Sequence, residues 1–505
     1  MNTKSKNLLL ALKAFASAKG NQRFLFDESH SLTASEVLTR VVSLAGKLRK
    51  DGVQSGDFVI FRATRSVPSA LLFLALESLG AVAVLVDSRL AKEDFLSPSF
   101  TFIDCQFALW QDDPASPWSD FSLARKNGSP LSLALTAENG NSLFMMDSFP
   151  DVSESTPGFV VFTTGSTEKK KPVLLSQGFL MEAVFLLMDL GIYQENDIGL
   201  MLLPMSHIFG LFLIVAALLA QHALYFPVSK EGQSILTAIS AYQVTRLDGV
   251  PTLFLAAVEA QEKAKLNISS LRQGLIGAGP CSAMQMARIE ATLGVRLIPV
   301  YGMTESMGVS AGRLDDSSEK RYTTLGKPYP ESDVRILTAD GKEASLPGVT
   351  GEIVCKTPCQ MLGYYQQPEL TRKARTPNGF LRTGDLGYLD QEGYLHLVGR
   401  KKNIIIKGGE NLSPEKIANA LLSLKEVEDC CVVSLPDDYY GEVPAAAVVL
   451  TSEAKFNESD IKQRLAGMLF RNEIPTKLVR VDQLPLFENG KVDSQAVKEI
   501  LSHGN

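Results

Sequence analysis

The chain predicts an α/β protein. A large N-terminal domain of mixed, largely parallel sheets with helices spans residues 1–399, and a small α+β domain spans residues 400–505. Three observations carry this division. Helix-like and strand-like segments alternate between residues 33 and 86, as they do where helical crossovers join parallel strands. The texture changes at Gly399-Arg400, where a basic triplet, an isoleucine run and two glycines open a shorter mixed segment. Finally, 505 residues exceed one small domain and suffice for a sizeable core.

In chain order, the first residues set lysines before leucines, as a signal peptide does, but Lys13 and Lys19 break the run. Leu8, Leu12 and Phe15 are spaced for an amphipathic surface helix. Residues 33–48 keep helical periodicity, and residues 52–60 turn into a short buried strand. A second helix is predicted over 68–78 and a second strand over 81–86. Residues 110–157, rich in Pro, Ser, Asp, Asn and Gly, predict long surface connections. Phe159-Val-Val-Phe162 reads as a strand. The longest apolar run, residues 208–220, falls short of the roughly 20 residues a membrane-spanning helix needs, so it predicts a buried core helix. Past Arg400, Asn403-Ile-Ile-Ile406 reads as β structure before a Gly-Gly turn. A helix then starts at the N-cap Ser413 with Pro414 in its first turn. Residues 430–433 and 445–450 read as strands, and residues 460–470 as a helix.

Composition narrows the function. A net charge of −6 gives no reason to expect nucleic acid. The 45% hydrophobic and 21% charged content is that of a soluble globular protein with no integral membrane segment. Cys355 and Cys359 tempt a metal reading, but no second Cys or His pair completes a four-ligand set. The six scattered cysteines are expected to be reduced structural thiols in a cytoplasmic protein.

Four segments carry chemistry. Thr163-Thr-Gly-Ser-Thr-Glu-Lys-Lys-Lys-Pro-Val173 can wrap a polyphosphate with backbone N–H groups and hydroxyls, its lysines neutralising charge. Its spacing is not that of a Walker loop, and alone it would pass for a polar surface loop. Tyr301-Gly-Met-Thr-Glu-Ser306 joins a flat ring that can cover an adenine, a hydroxyl for an α-phosphate and a carboxylate for Mg²⁺. Upstream, Gly277-Ala-Gly-Pro280 is small enough for a purine to approach the backbone. Asp385 in Leu381-Arg-Thr-Gly-Asp-Leu386 can accept bonds from ribose hydroxyls, as acidic residues do in other nucleotide folds. A solvated turn aspartate would look the same.

With Lys491 after Asn489-Gly490, this ordered set resembles the adenylate-forming (AMP-binding) superfamily: acyl-CoA synthetases, adenylation domains of peptide synthetases and firefly-type luciferases. The likeness runs from about Thr33 to about Asp493, and several weak motifs in one order are together specific. The phosphate loop departs from the family form: Glu168 stands for a Gly, Lys170 for a Pro and Pro172 for a Gly, while Thr163, Gly165, Ser166, Thr167 and Lys171 fit.

The resemblance implies roles. Thr163, Gly165, Ser166, Thr167, Lys171, Gly277, Ala278, Gly279, Tyr301, Gly302, Thr304, Asp385 and Arg400 would bind nucleotide, and Glu305 would hold Mg²⁺. His207 in Pro204-Met-Ser-His-Ile-Phe-Gly210 would otherwise be taken for a core histidine; the acyl- and aryl-CoA ligases place it in the carboxylate pocket. Phe209, Gly210, Val250, Gly277, Met303 and Met307 would complete that pocket. The Pro204–Gly210 segment lacks an acidic residue to pair a substrate ammonium, which favours a fatty or aromatic acid over an amino acid. Lys491, Thr304 and His207 would be catalytic, Lys402 would be the hinge of a mobile C-terminal lid, and Lys407, Gly408 and Gly409 would line the path of the thiol arm. A tight turn before a helix explains those two glycines nearly as well.

The implied reaction is ATP-dependent activation of a small-molecule carboxylic acid to acyl-AMP, then transfer to a thiol, with coenzyme A first in line. A carrier-protein phosphopantetheine and a non-catalytic acyl-nucleotide binder remain as alternatives.

Overall fold

The computed structural model describes residues 7–90, 104–111, 113, 116, 118–125, 131–133, 135, 155–163, 171–451, 454–487 and 490–503. Several of its helices begin where the sequence provides caps. Thr33 and Glu36 form a reciprocal capping box on Ala34–Lys50, satisfying N–H groups the helix leaves open. Ser66 caps Val67–Leu79, which ends at Gly80 with φ +69°, a left-handed stop that suits glycine. That helix is buried on every side, and so is most of Ile208–Leu219. The helix Leu8–Lys19 buries Leu8, Leu9, Leu12 and Phe15 against the same core.

An eight-stranded sheet runs in the order Gly363–Tyr364, Pro172–Ser176, Pro157–Phe162, Val82–Val86, Phe58–Arg62, Phe107–Gln111, Phe121–Arg125, Leu131–Leu133. Its centre is parallel and its margins antiparallel. The margin corrects one expectation. The stretch 110–157 was expected to hold long surface connections, yet Phe121–Arg125 and Leu131–Leu133 within it extend the sheet, and Trp110 lies buried in Phe107–Gln111. Three- to five-residue strands next to prolines and serines lack the long alternating pattern by which strands are read.

A second sheet (Ile198–Leu200, Ala223–Tyr225, Arg23–Phe26, Ser31–Thr33) joins a third (Gln273–Gly277, Arg296–Met303, Ser306–Ala311, Lys327–Pro328) through bridges at Arg246 and Gly249. Fully buried Arg246 forks onto Asp248 at 2.8 and 2.9 Å and reaches Asp197 at 3.3 Å. Asp248 also accepts the Leu275 N–H at 2.8 Å. This ionic knot aligns the strand that ends at Gly277. Such knots are costly to break because one partner is left charged and buried.

An antiparallel sheet of Asp333–Leu337, Gly351–Lys356, Leu381–Leu389 and Leu395–Arg400 closes the large part. Beyond Arg400, the strands Glu410–Leu412, Ile405–Lys407, Gly441–Leu450, Val427–Asp437 and Lys477–Arg480 make a separate sheet. They enclose two apolar clusters built only from residues after Arg400. Two boundaries there differ from expectation. Lys401–Asn403, including Lys402, forms a 3₁₀ turn, so the strand starts only at Ile405. The last helix before Lys477 is Glu458–Leu465, with a turn through Gly467 in place of its expected second half.

Candidate active site

The strands Arg296–Met303 and Ser306–Ala311 form a hairpin whose register shifts between Tyr301 and Met303. A β-carbon on Gly302 would lie 2.3 Å from the Met307 carbonyl oxygen, so the hairpin closes here only on glycine. The connection presents Thr304 and Glu305. Tyr301 donates its hydroxyl to Asp385 Oδ2 at 2.6 Å; burial, and then the Asp385 charge, push its phenol pKa well up. Asp385 is buried beyond Gly384, which has φ +72°. Its N–H donates to Thr383 Oγ1 at 3.0 Å, and that hydroxyl donates to the Ile353 carbonyl at 2.7 Å. Antiparallel pairing sets Arg400 opposite Asp385, with Nε 3.1 Å from Oδ1. Tyr301, Asp385 and Arg400, 99 residues apart in sequence, thus form one polar group.

Glu305 is buried and its Oε1 accepts the Tyr364 hydroxyl at 2.7 Å. Tyr364 pairs with Val173 just after the phosphate loop, and the Lys171 ammonium lies 5.8 Å from its ring centroid. Tyr364 therefore ties the Thr-Glu turn to the base of the loop, a link the sequence reading missed; a tyrosine in a Gly-Tyr-Tyr stretch carries no signal for it. Thr163 and Lys171 close the loop: the Thr163 N–H reaches the Lys171 carbonyl at 3.1 Å, and the Lys171 N–H reaches Thr163 Oγ1 at 3.3 Å. Gly165, Ser166 and Thr167, with Glu168 and Lys170, lie outside the described residues. Behind the Thr-Glu turn, the Cys359 sulfur accepts the Gly308 N–H at 3.1 Å, and all six cysteines are free thiols.

Gly277 ends its strand where a β-carbon would stand 2.6 Å from the Val300 carbonyl oxygen. Ala278 takes φ +62°, a conformation L-residues adopt at a cost. Gly279 lies beside Pro251, so Val250, buried at the N-cap of Pro251–Ala264, shares this corner. Met303 and Met307 are half-buried against the core. His207 is the N-cap residue of Ile208–Leu219, half-buried with extended backbone. Gly210 has no room for a β-carbon, which would lie 2.3 Å from the Pro204 carbonyl oxygen. Phe209 packs near Phe212 with ring centroids 6.1 Å apart.

Lys491 comes to this group from the small C-terminal part. Burial, and then the nearby Arg400 guanidinium, push its amine down to about 8, while Asp385 and Glu305 pull the other way. The group thus gathers three cations, Lys491, Arg400 and Lys171, around the buried carboxylates Asp385 and Glu305. Lys407, Gly408 and Gly409 do not share these partners. Lys407 donates to the Asn472 carbonyl at 3.0 Å, and the Gly408 N–H donates to the Tyr440 carbonyl at 2.8 Å. Exposed Tyr440 lies beside them, its ring centroid 5.4 Å from the Lys407 ammonium, with Tyr439 packed edge-on to it; the sequence reading had singled out neither. Among the described residues, no cluster of three or more His, Cys, Asp or Glu could hold a metal.

The AMP-binding enzyme family model matches residues 12–365, and that of the AMP-binding enzyme C-terminal domain matches residues 416–491. A 2-succinylbenzoate–CoA ligase from Bacillus cereus (strain Q1) is 30% identical over 476 residues, covering 94% of this chain and 95% of that protein. An indoleacetate–CoA ligase from Aromatoleum aromaticum is 28% identical, covering 93% of each. In shape the chain resembles ATP-bound MatB from Rhodopseudomonas palustris, with TM-score 0.85, 24% identity and 99% of each chain covered.

Proposed function

The chain belongs to the AMP-binding enzyme family, and from that premise we propose an AMP-forming acid–thiol ligase that activates an apolar or aromatic carboxylic acid and passes it to coenzyme A. The carrying observation is the meeting of Lys491 with Asp385, Arg400 and Glu305. A lysine from the small part thereby completes a phosphate-facing cleft built by the large one. The named activities of the relatives support coenzyme A over a carrier-protein arm.

In the first half-reaction a carboxylate oxygen attacks the α-phosphorus of ATP, and pyrophosphate leaves. Tyr301 covers the adenine and Gly277, Ala278, Gly279 and Gly302 let it approach the backbone. Asp385 takes the ribose hydroxyls, Thr304 bonds the α-phosphate, and the phosphate loop from Thr163 to Lys171 holds the outgoing pyrophosphate. Lys491 and Arg400 stabilise the charge that develops at phosphorus, as preorganised groups in a water-poor cleft do most effectively. Glu305 fits Mg²⁺, since that ion takes one or two carboxylates and fills its other positions with water and phosphate oxygens. Bound there, the ion would neutralise phosphate charge. In the second half-reaction the thiol sulfur attacks the acyl carbon, the thiol proton is lost and AMP leaves. The Lys407–Gly409 turn serves this step after the lid reorients about Lys402.

His207, Phe209, Gly210, Val250, Met303 and Met307 give the acid an apolar pocket with one imidazole, which suits an uncharged fatty or aryl body. Among the described residues no helix is long and apolar enough to cross a membrane. Six free thiols suit a reducing compartment, which supports a proposed cytoplasmic reaction. Incubation with ATP, Mg²⁺ and a panel of fatty and aryl acids, with and without coenzyme A, tests the reading. Acid-dependent pyrophosphate release, then a coenzyme A thioester, is expected. ATP turnover indifferent to every acid would refute it.

A further inference from the structure

The placement of Lys491 depends on a contact no motif supplies. Phe487, Gly490 and Lys491 close a tight turn: the Phe487 N–H donates to the Lys491 carbonyl at 2.8 Å, and the Gly490 N–H to the Phe487 carbonyl at 2.9 Å. Gly490 takes φ +77° and lies so near the large part that a β-carbon would stand 2.7 Å from Thr252 Oγ1 and 2.9 Å from Val250 Cγ2. Thr252, in the first turn of Pro251–Ala264, donates its hydroxyl to the Gly490 carbonyl at 2.9 Å. A second contact joins the same two parts. Arg288, on the helix Ala283–Leu293, reaches Glu428 Oε1 at 3.2 Å while holding Glu262 at 3.0 Å. Asp429 lies close enough to Cys281 to act on its thiol, which places the start of Val427–Asp437 along this face.

We propose that Thr252 is a positioning residue for acyl-AMP formation: it clamps the Lys491 turn onto the large domain, and the Arg288–Glu428 ion pair is a second, salt-sensitive point of the same clamp. This deepens the reaction proposed above and rests on it. The hydroxyl touches neither ATP nor acid; it acts through the turn that carries the lysine. A single hydrogen bond between parts that must separate for the second half-reaction sets how much of the enzyme stands ready for the first. The ion pair is partly exposed, so it is weak alone and screened by salt.

Two measurements on the full chain test this. The first is the acetylation rate of Lys491 by acetic anhydride, read by mass spectrometry against exposed Lys402, and it requires no acid substrate. Thr252→Val is expected to acetylate several-fold faster at Lys491 with an unchanged melting temperature, and Thr252→Ser to restore protection. Gly490→Ala, which pushes the turn outward, should match Thr252→Val. The second measures the half-reactions apart. In Thr252→Val, ATP–pyrophosphate exchange should fall about three- to tenfold, the loss of one hydrogen bond, while supplied acyl-AMP and coenzyme A react at the wild-type rate. Arg288→Glu should mimic this at low salt, and the Arg288→Glu/Glu428→Arg pair should recover it. Wild-type protection of Lys491 in Thr252→Val overturns the clamp, as does an equal loss in both half-reactions. If Lys491 is released but the wild type forms acyl-AMP from no acid, the clamp contact stands and the proposed reaction falls.

Discussion

Lys491→Arg separates the charge of this side chain from its titration. Burial and Arg400 push the lysine down to about 8 in the ligand-free enzyme, so roughly nine in ten molecules carry the cation at pH 7 and roughly one in ten at pH 9. Only the protonated amine can stabilise charge at the α-phosphorus. The sign follows: kcat/KM for ATP in the first half-reaction should be flat near neutrality and fall about tenfold per pH unit above about 8. Bound phosphates favour the charged form, so the same limb in kcat should lie at higher pH. A guanidinium stays charged past about pH 12. The Arg variant should therefore be slower near pH 7, because its planar fork misfits a site built for one point charge, yet lose the alkaline limb in kcat/KM. ATP–pyrophosphate exchange from about pH 6 to about pH 10 reads both profiles. A limb that stays in place in Lys491→Arg would assign it to another group, and a wild-type profile level to about pH 10 would show that the amine is not held down.

Lys491→Ala should cost acyl-AMP formation roughly 10²–10³ in rate, the loss of one preorganised donor, while still converting supplied acyl-AMP and coenzyme A; Gly409→Leu, at φ +88° with open space around its β-carbon position, should do the reverse. Glu305→Gln should raise the Mg²⁺ concentration needed for half-maximal exchange with the fold intact, and an unchanged Mg²⁺ requirement would remove Glu305 as the ligand. Glu77 lies fully inside Val67–Leu79 with neither carboxyl oxygen hydrogen-bonded, and burial pushes its pKa well up. Its folded value exceeds its unfolded one, so the stability this group contributes is fully present in acid and is lost as pH rises above about 4.5. Glu77→Met should remove that slope and add about 1–3 kcal/mol near neutrality; denaturant midpoints at about pH 5 and about pH 8 check it.

What could be read from the sequence follows from the range of each signal. The helix at Ala34–Lys50 was legible because its apolar residues recur at helical spacing, and Val37, Leu38, Val41, Val42, Ala45 and Leu48 are the face it buries. Ile208–Leu219 was legible because an apolar run of that length buries itself on all sides. Phe121–Arg125 was not, because its evidence is a partner strand and not its own pattern. The site divides the same way. Tyr301, Glu305 and Asp385 stand in motifs whose residue types suit nucleotide chemistry, so they could be singled out before their geometry was seen, and the structure brings Tyr301 and Asp385 into contact. Tyr364 and Thr252 could not, since their partners lie 59 and 238 residues away. Thr252 is the harder case for a physical reason. Its acceptor is a main-chain carbonyl, which every residue offers, so the bond selects no side chain at position 490. Only the crowding selects: a β-carbon at 490 would strike Thr252 and Val250 while φ is positive. The glycine before the lysine is thus a trace in the sequence of how the two parts dock. It reads as a turn residue until the structure shows what it turns against.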